Sequence, residues 1–394
     1  MRTSSAVRGL RSGWLSAMVA VAAGTWASGA EQADLVLTGG RVAAVDPQYA
    51  GAQAVAVRGA RILAVGSSAD IASCIGPQTR VISLDGQLVM PGFIEGHGHF
   101  LSLGESRMML NLSAAATWDD IVEQVAAAAR QQPAGTWIVG HGWHHSKWRE
   151  VPEPNLAGTP THTALSRVSP DHPVLLTHAS GHMCIVNAKA LALAGVGRNT
   201  PSPGGGEILH DAAGEPTGVL RENAADLVHR VHQRALRQRS PQQQREATLT
   251  AIRLAGEECL RNGITTFCDA GSSLAVIDTY RELAEAGRLP VRLWVMINED
   301  NDTLARSLPQ YRMVNVGNHH LTVRAIKRLV DGALGAHTAW LLEPYEDVPT
   351  GNGLLTTPLD ELQRTAELAL AHDCQLCVHA IGDRANRSVL DLYA

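Results

Sequence analysis

Residues 90–100 read MPGFIEGHGHF, an apolar run that ends in His97-Gly98-His99. Side chains two positions apart on a β-strand leave the same face, so both imidazoles can reach one metal ion. Glycines on either side of His97 let backbone and ligand come close. A bare HxH also suits two solvated or hydrogen-bonded histidines, so its surroundings decide.

The same texture recurs downstream. Apolar, strand-like runs that end in polar residues appear as GITTFCDAG (263–271), VRLWVMI (291–297), VRAIKRLVDG (323–332) and QLCVHAIGD (375–383). Amphipathic helical stretches separate them, over Pro241–Asn262, Leu274–Ala286 and Leu359–His372. Buried strands alternating with helices argue for a parallel sheet, and polar chemistry at strand C-termini argues for an α/β fold of the TIM (β/α)8-type barrel. A doubly wound sheet is the alternative, but no glycine fingerprint follows an early strand.

Two regions lie outside this alternation. Residues 33–90 are short β-branched runs split by glycine turns (DLVLTGG, AVAVRGARILAVG, TRVISLDGQLV), which predicts a small all-β unit of hairpins. The stretch 104–245 separates the first and second barrel strands. It holds WIVGHGW, PVLLTHASGH and a Pro/Gly-rich loop, TPSPGGGE, and reads as an insertion over the barrel mouth.

Composition narrows the function. The 394 residues are 45% hydrophobic and 18% charged, enough for a sizeable core. Lys plus Arg total 33 against 38 Asp plus Glu, so no basic surplus suggests a nucleic-acid partner. No apolar stretch of about 18 residues suggests a membrane span. Seventeen histidines against three phenylalanines direct attention to metal chemistry.

Residues 1–30 carry Arg2, Arg8 and Arg11, no acid before Glu31, a mostly apolar Trp14–Trp26 and the small residues Ser28-Gly29-Ala30. That is the pattern of a cleaved secretory signal peptide and implies a secreted or periplasmic protein; a short buried helix is the alternative. The six cysteines are too sparse for a disulfide framework. Cys374 and Cys377 form a CxxC, but residues three apart on a strand face opposite sides, so packing is favoured over a shared metal.

His379 ends a late strand, and a barrel would bring it to the same face as His97 and His99. Lys327 sits inside VRAIKRLVDG, where burial is costly unless the amine is paired, modified or catalytic. A snorkelling lysine is the plainer alternative. Asp331, just after it, suits a turn or a substrate contact.

The chain resembles the metal-dependent amidohydrolase superfamily, in the branch of YtcJ-like proteins and N-substituted formamide deformylases (amidohydrolase family 3). The resemblance rests on MPGFIEGHGHF, LLTHASGHMCIVNAKAL (175–191), GGEILHDAAGEPTGVL (205–220), GITTFCDAG, IKRLVDGALGAHTAWLLEPY (326–345) and VHAIGDRAN (378–386). It implies a β-sandwich over 31–90 and a barrel over 91–394 holding one or two divalent ions, usually zinc. His97, His99 and His379 match ligand positions. Lys327 matches a lysine that carbon dioxide converts to a bridging carbamate.

The implied reaction is hydrolysis of a non-peptide C–N bond, in an amide, formamide or cyclic amide, by metal-activated water. A small-molecule amide-like substrate is the expected partner, for a single chain or a homo-oligomer. Trp143, His182, Asp331 and His337 are candidate substrate contacts; at His337 relatives commonly carry arginine. His144 and His145, beside Trp143, suit a pocket wall or a solvated loop. Glu207 and Arg221 suit a structural role, and Asp383 and Arg384 suit a tie at the last strand end. The family's sixth-strand histidine and general-base eighth-strand aspartate would lie beyond Ala394, so about five barrel strands are expected here. The rivals are a non-catalytic remnant or binding protein, and a lyase- or isomerase-type relative.

Overall fold

A computed structural model describes residues 31–394 except Val151, Ala157, Gly335, Ala336, Val348 and Thr350; the expected signal peptide falls in 1–30, outside the described residues. The chain divides into two compact units, one ending at Pro91 and the other spanning Gly92–Ala394.

In the first unit, Ala54–Arg58 and Arg61–Gly66 form a hairpin. Leu35–Thr38 pairs antiparallel with Ala54–Arg58 and parallel with Arg80–Ser83. The unit is therefore not built of hairpins alone. The parallel pair needs a crossover, and the short helix Ser68–Ala72 lies within it. Ala33, Val36, Ala54, Ala56 and Ile71 make its core.

The second unit is organised around a parallel sheet of five strands: β1 (Phe93–Gly98), β2 (Ile264–Ser272), β3 (Arg292–Ile297), β4 (Leu321–Leu329) and β5 (Gln375–His379). Each pairs with its successor in chain order, as strands of a barrel do. The runs of β3 and β4 are apolar because these central strands are buried along most of their length. Val295, Ile297, Val323 and Ile326 are all buried and pack with Ile277, Tyr280 and Leu304 from the helices. β1 has one parallel neighbour, and its Phe93 and Ile94 are 54% and 68% exposed.

Helices α1 (Phe100–Arg107), α2 (Pro241–Arg261), α3 (Leu274–Glu285), α4 (Asn301–Tyr311), α5 (Leu359–Ala371) and α6 (Asp383–Tyr393) accompany the sheet. α2 starts sharply because Ser240 and Gln243 form a capping box with Pro241 at the first helical position. α1 and α2 touch at Gly104: a Cβ there would lie 1.8 Å from the Ala251 carbonyl oxygen.

Between α1 and α2 the chain builds a second, six-stranded sheet. Its order is Gly206–His210, Pro216–Glu222, Met183–Val186, Val174–His178, Ile138–Trp143, Leu110–Asn111. Alternate residues serve opposite faces, as the two-residue period of a strand requires. Leu176, Ile185 and Val219 join Trp118, Ile121 and Trp143 on one side. Leu175, Cys184, Val186 and Leu220 join Leu191 and Val228 on the other. Asn187 ties the sheet to its helices by accepting from Val174 and Ala190 N–H and donating to Ser169 and His172 carbonyls.

Candidate metal centre

His97 and His99 leave the C-terminal end of β1 with ring centroids 6.2 Å apart and planes near perpendicular. Gly98 keeps them close to the sheet: a Cβ there would sit 2.4 Å from the Phe267 ring, so no larger residue fits between the histidines. His99 is also the N-cap of α1, and its side chain makes no cap hydrogen bond, leaving the ring free. The next residue anchors the turn. Phe100 is fully buried against Phe267 and Tyr280, and its N–H donates to Asp269 Oδ1 at 3.1 Å.

Lys327 enters from β4, opposite Cys377 of β5, and is only 6% exposed. No ion pair to it exists among the described residues. Burial therefore pushes its ammonium below the usual lysine range. The His97 imidazole is held below the usual histidine range, first by burial and then by Lys327, His99 and His379.

His379 ends β5. Its Nε2 donates to the Gly332 carbonyl at 2.8 Å, which leaves Nδ1 as the free donor atom. An imidazole that gives its second N–H to a backbone carbonyl is oriented as metal-ligating histidines usually are. Asp331 Oδ1 lies 4.0 Å from that Nε2, but both its oxygens are engaged. Oδ1 accepts from Ile381 N, and Oδ2 accepts from Gly382 N and Trp340 N. Asp331 thus fastens the ends of β4 and β5 together from a buried position.

The donor set fits a zinc-like ion in its chemistry: three imidazoles and an amine that burial inclines to the neutral form. The imidazole nitrogens stand further apart than in a closed site. Among the described residues, a group of three His, Cys, Asp or Glu donors within 4.8 Å of one another occurs only at His144, His145 and His178.

The remaining candidates are engaged by partners of their own. Trp143 is fully buried in the inserted sheet, with its indole N–H donating to Leu176 O and its ring stacked on Trp148 at 5.7 Å. His182 is exposed and faces Glu222 at 3.2 Å. His337 has φ +53°, bonds Asp347 Oδ2 at 2.8 Å and meets the Tyr345 ring edge-on. Arg221 pairs with Glu207 at 2.9 Å. Asp383 accepts Leu342 N–H, while Arg384 donates to Leu342 O and lies over Trp340. All six cysteines are free, Cys374 and Cys377 included.

Sequence reasoning missed Asp269. Buried beside β1, it accepts from Phe100 N, Ser272 Oγ and Tyr280 Oη, and burial raises its carboxyl above the usual range. A charged residue at the end of the run GITTFCDAG was the available signal.

A family profile described as "Amidohydrolase family" matches residues 80–394. The putative amidohydrolase YtcJ of Bacillus subtilis is 33% identical over 320 residues, covering 80% of this chain and 57% of that protein. The N-substituted formamide deformylase of Arthrobacter pascens is 30% identical over 366 residues, covering 91% and 65%. An uncharacterized metal-dependent hydrolase from Pyrococcus furiosus superposes with a TM-score of 0.65 at 25% identity, over 91% of this chain and 69% of that one. The chain spans less than two thirds of the length of these curated relatives. With the parallel strands in barrel order and the matched span running from the end of the β unit through β5, the chain belongs to the amidohydrolase family.

Proposed function

We propose that the protein is a metal-dependent hydrolase of non-peptide C–N bonds in small amide-like molecules, N-substituted formamides among them. The observation that supports this is that His97, His99, Lys327 and His379 stand at or beside the C-terminal ends of β1, β4 and β5 of one parallel sheet. Those four residues would hold one or two zinc ions. Bound there, zinc supplies a Lewis acid that polarises the scissile carbonyl and makes water acidic enough to attack it near pH 7.

The chain's own residues prepare the site. Burial favours the free amine of Lys327, whose nitrogen lone pair can add to carbon dioxide. An N–C bond forms, an electron pair moves onto oxygen, and a proton leaves the nitrogen for solvent. The product is an anionic oxygen donor where an unpaired ammonium would be costly. Asp331 and the Gly332 carbonyl fix the β5 end and the His379 ring, while Asp269 fixes the turn after His99. Reacting groups must be held in place before the reaction, and these buried bonds do that.

A second reading, a metal-binding protein without turnover, is favoured by the local carboxylates. Asp269 and Asp331 each have both carboxylate oxygens engaged by donors, so neither is placed to shuttle a proton. The protein, loaded with Zn2+ in bicarbonate buffer, is offered N-substituted formamides, N-acyl amides, cyclic amides and esters. Release of formate or amine, lost in Lys327→Ala, supports the hydrolase. Zinc retained without cleavage of any amide overturns it in favour of the second reading. Residues 1–30 support export, which the N-terminal sequence of the protein recovered from periplasm or medium checks.

A further inference from the structure

The inserted sheet carries a second set of imidazoles. His144 and His145 follow the strand Ile138–Trp143, and His178 ends the parallel neighbour Val174–His178. Ring centroids are 4.5 Å apart for His144 and His178, 5.3 Å for His144 and His145, and 5.4 Å for His145 and His178. His178 is 5% exposed and the other two are half-buried, so the cluster meets solvent on their side.

Hydrogen bonds fix where two of the protons sit. The Ser180 N–H donates to His178 Nδ1 at 3.1 Å, and the Ser146 N–H donates to His144 Nδ1 at 3.2 Å. A neutral imidazole whose Nδ1 accepts carries its proton on Nε2. Both rings are therefore donors at Nε2, with no lone pair there for a cation. The hydroxyls of the same serines, 2.8 and 2.7 Å from those Nδ1 atoms, hold the rings in this orientation. Burial, then His144 and His145, hold His178 down to about 4, so it is a neutral donor near pH 7.

The buried donors lack acceptors. Among the described residues, His178 Nε2 and His145 Nδ1 are buried without any hydrogen-bond partner, so they do not bond one another. The indole N–H of Trp148, whose ring stacks on Trp143, is likewise buried and unpaired. Each unpaired buried donor costs about 1–3 kcal/mol. His145 Nδ1 has no neighbour to fix its tautomer, so a proton placed there adds one more donor. Such a lining suits an acceptor and not a metal ion.

We propose that His144, His145 and His178 bind the carboxylate of a small organic acid, whose oxygens accept the imidazole N–H groups. N–H···O contacts of about 2.7–3.2 Å let the two oxygens of one carboxylate bridge rings whose centres are 4.5 Å apart. A carboxylate monoanion fits better than a phosphate dianion because the donors are neutral. Arg221, two strands from His178, is already paired with Glu207 at 2.9 Å, while Lys147 and Arg149 are exposed. The edge of Trp143, its ring 4.7 Å from that of His178, closes the core side. This site uses none of the β1, β4 and β5 residues and does not rest on the hydrolase reading.

The full chain, freed of metal by chelation so that no ion competes for the anion, is titrated with sodium formate, acetate and benzoate, against sodium chloride at equal ionic strength. Histidine side-chain 15N–1H spectra and tryptophan fluorescence are read together. Saturable shifts of the His144 and His178 Nε2–H signals are expected with a carboxylate and not with chloride. His144→Phe, checked for folding by circular dichroism, weakens that binding by roughly 10- to 100-fold, as loss of one hydrogen bond to a charged group should. His144→Gln, which keeps an N–H donor, recovers most of it. A titration that never saturates, the sign of a bound water only, overturns the proposal. So does binding indifferent to His144→Phe, or a His178 proton found on Nδ1. Because the protein is metal-free throughout, failure here is separable from failure of the hydrolase reading.

Discussion

At the end of β4 the Asp331 carboxylate gathers the N–H groups of Trp340, Ile381 and Gly382. Asp331→Ala strands those donors and should cost about 3 kcal/mol, read as a lower urea midpoint; Asp331→Asn, which keeps one acceptor oxygen, should fall between. A loss under about 0.5 kcal/mol would show that the fastening is dispensable. Lys327 should behave in the opposite sense. Lys327→Met removes a buried amine without an ion pair, so the metal-free protein should gain about 1 kcal/mol while zinc binding at the β-strand ends is lost. Equal or lower stability in the metal-free state counts against a burial penalty. The lysine could be read from sequence because IKRLV sets a charge inside an apolar run. Asp269 stands in a similar run, GITTFCDAG, but its role was not legible, because its partner Phe100 lies 169 positions away along the chain.

At the scale of elements, α1 and α2 approach so closely at Gly104 that a methyl group meets backbone. Gly104→Ala should therefore destabilise by about 1–3 kcal/mol despite alanine's better helix propensity, measured by thermal unfolding. A stabilised variant would mean that the helices part without cost. Asp373 links Arg324 of β4 with Arg312 just after α4, and those bonds hold its carboxyl below the usual aspartate range. A depressed folded pKa contributes stability above the unfolded value near 3.8, and that contribution is lost as pH falls through the folded value. The gap in urea midpoint between the protein and Asp373→Asn should thus be present at pH 7 and shrink at pH 3, remaining small because the pair is exposed. A gap that widens in acid contradicts this. Strands β1–β5 and helices α2, α3 and α5 were legible because each carries its own period. The helix Trp118–Gln131 went unremarked despite a capping box at Thr117 and Asp120. The order of the inserted sheet was not legible either, since it depends on pairings between distant strands.

For the whole molecule, a ligand bound only by the folded state adds stability by mass action. Zinc at a hundred-fold excess over its dissociation constant should add about 2.7 kcal/mol to the unit Gly92–Ala394, reversed by chelation, and leave a transition of the preceding unit unmoved. Calorimetric scans with and without zinc check this; an unshifted transition in the larger unit contradicts it. The contact at Gly104 bears on how such a chain can change. The segment that builds the second sheet departs through α1 and returns through α2, and these two helices meet where Gly104 faces Ala251. Its ends are held together whatever lies between them, so residues gained or lost there cost little extra closure entropy. The guest sheet, with its own histidines, and the host strands, with theirs, can accordingly diverge at separate rates, since what joins them is a closely packed pair of helices in contact at Gly104.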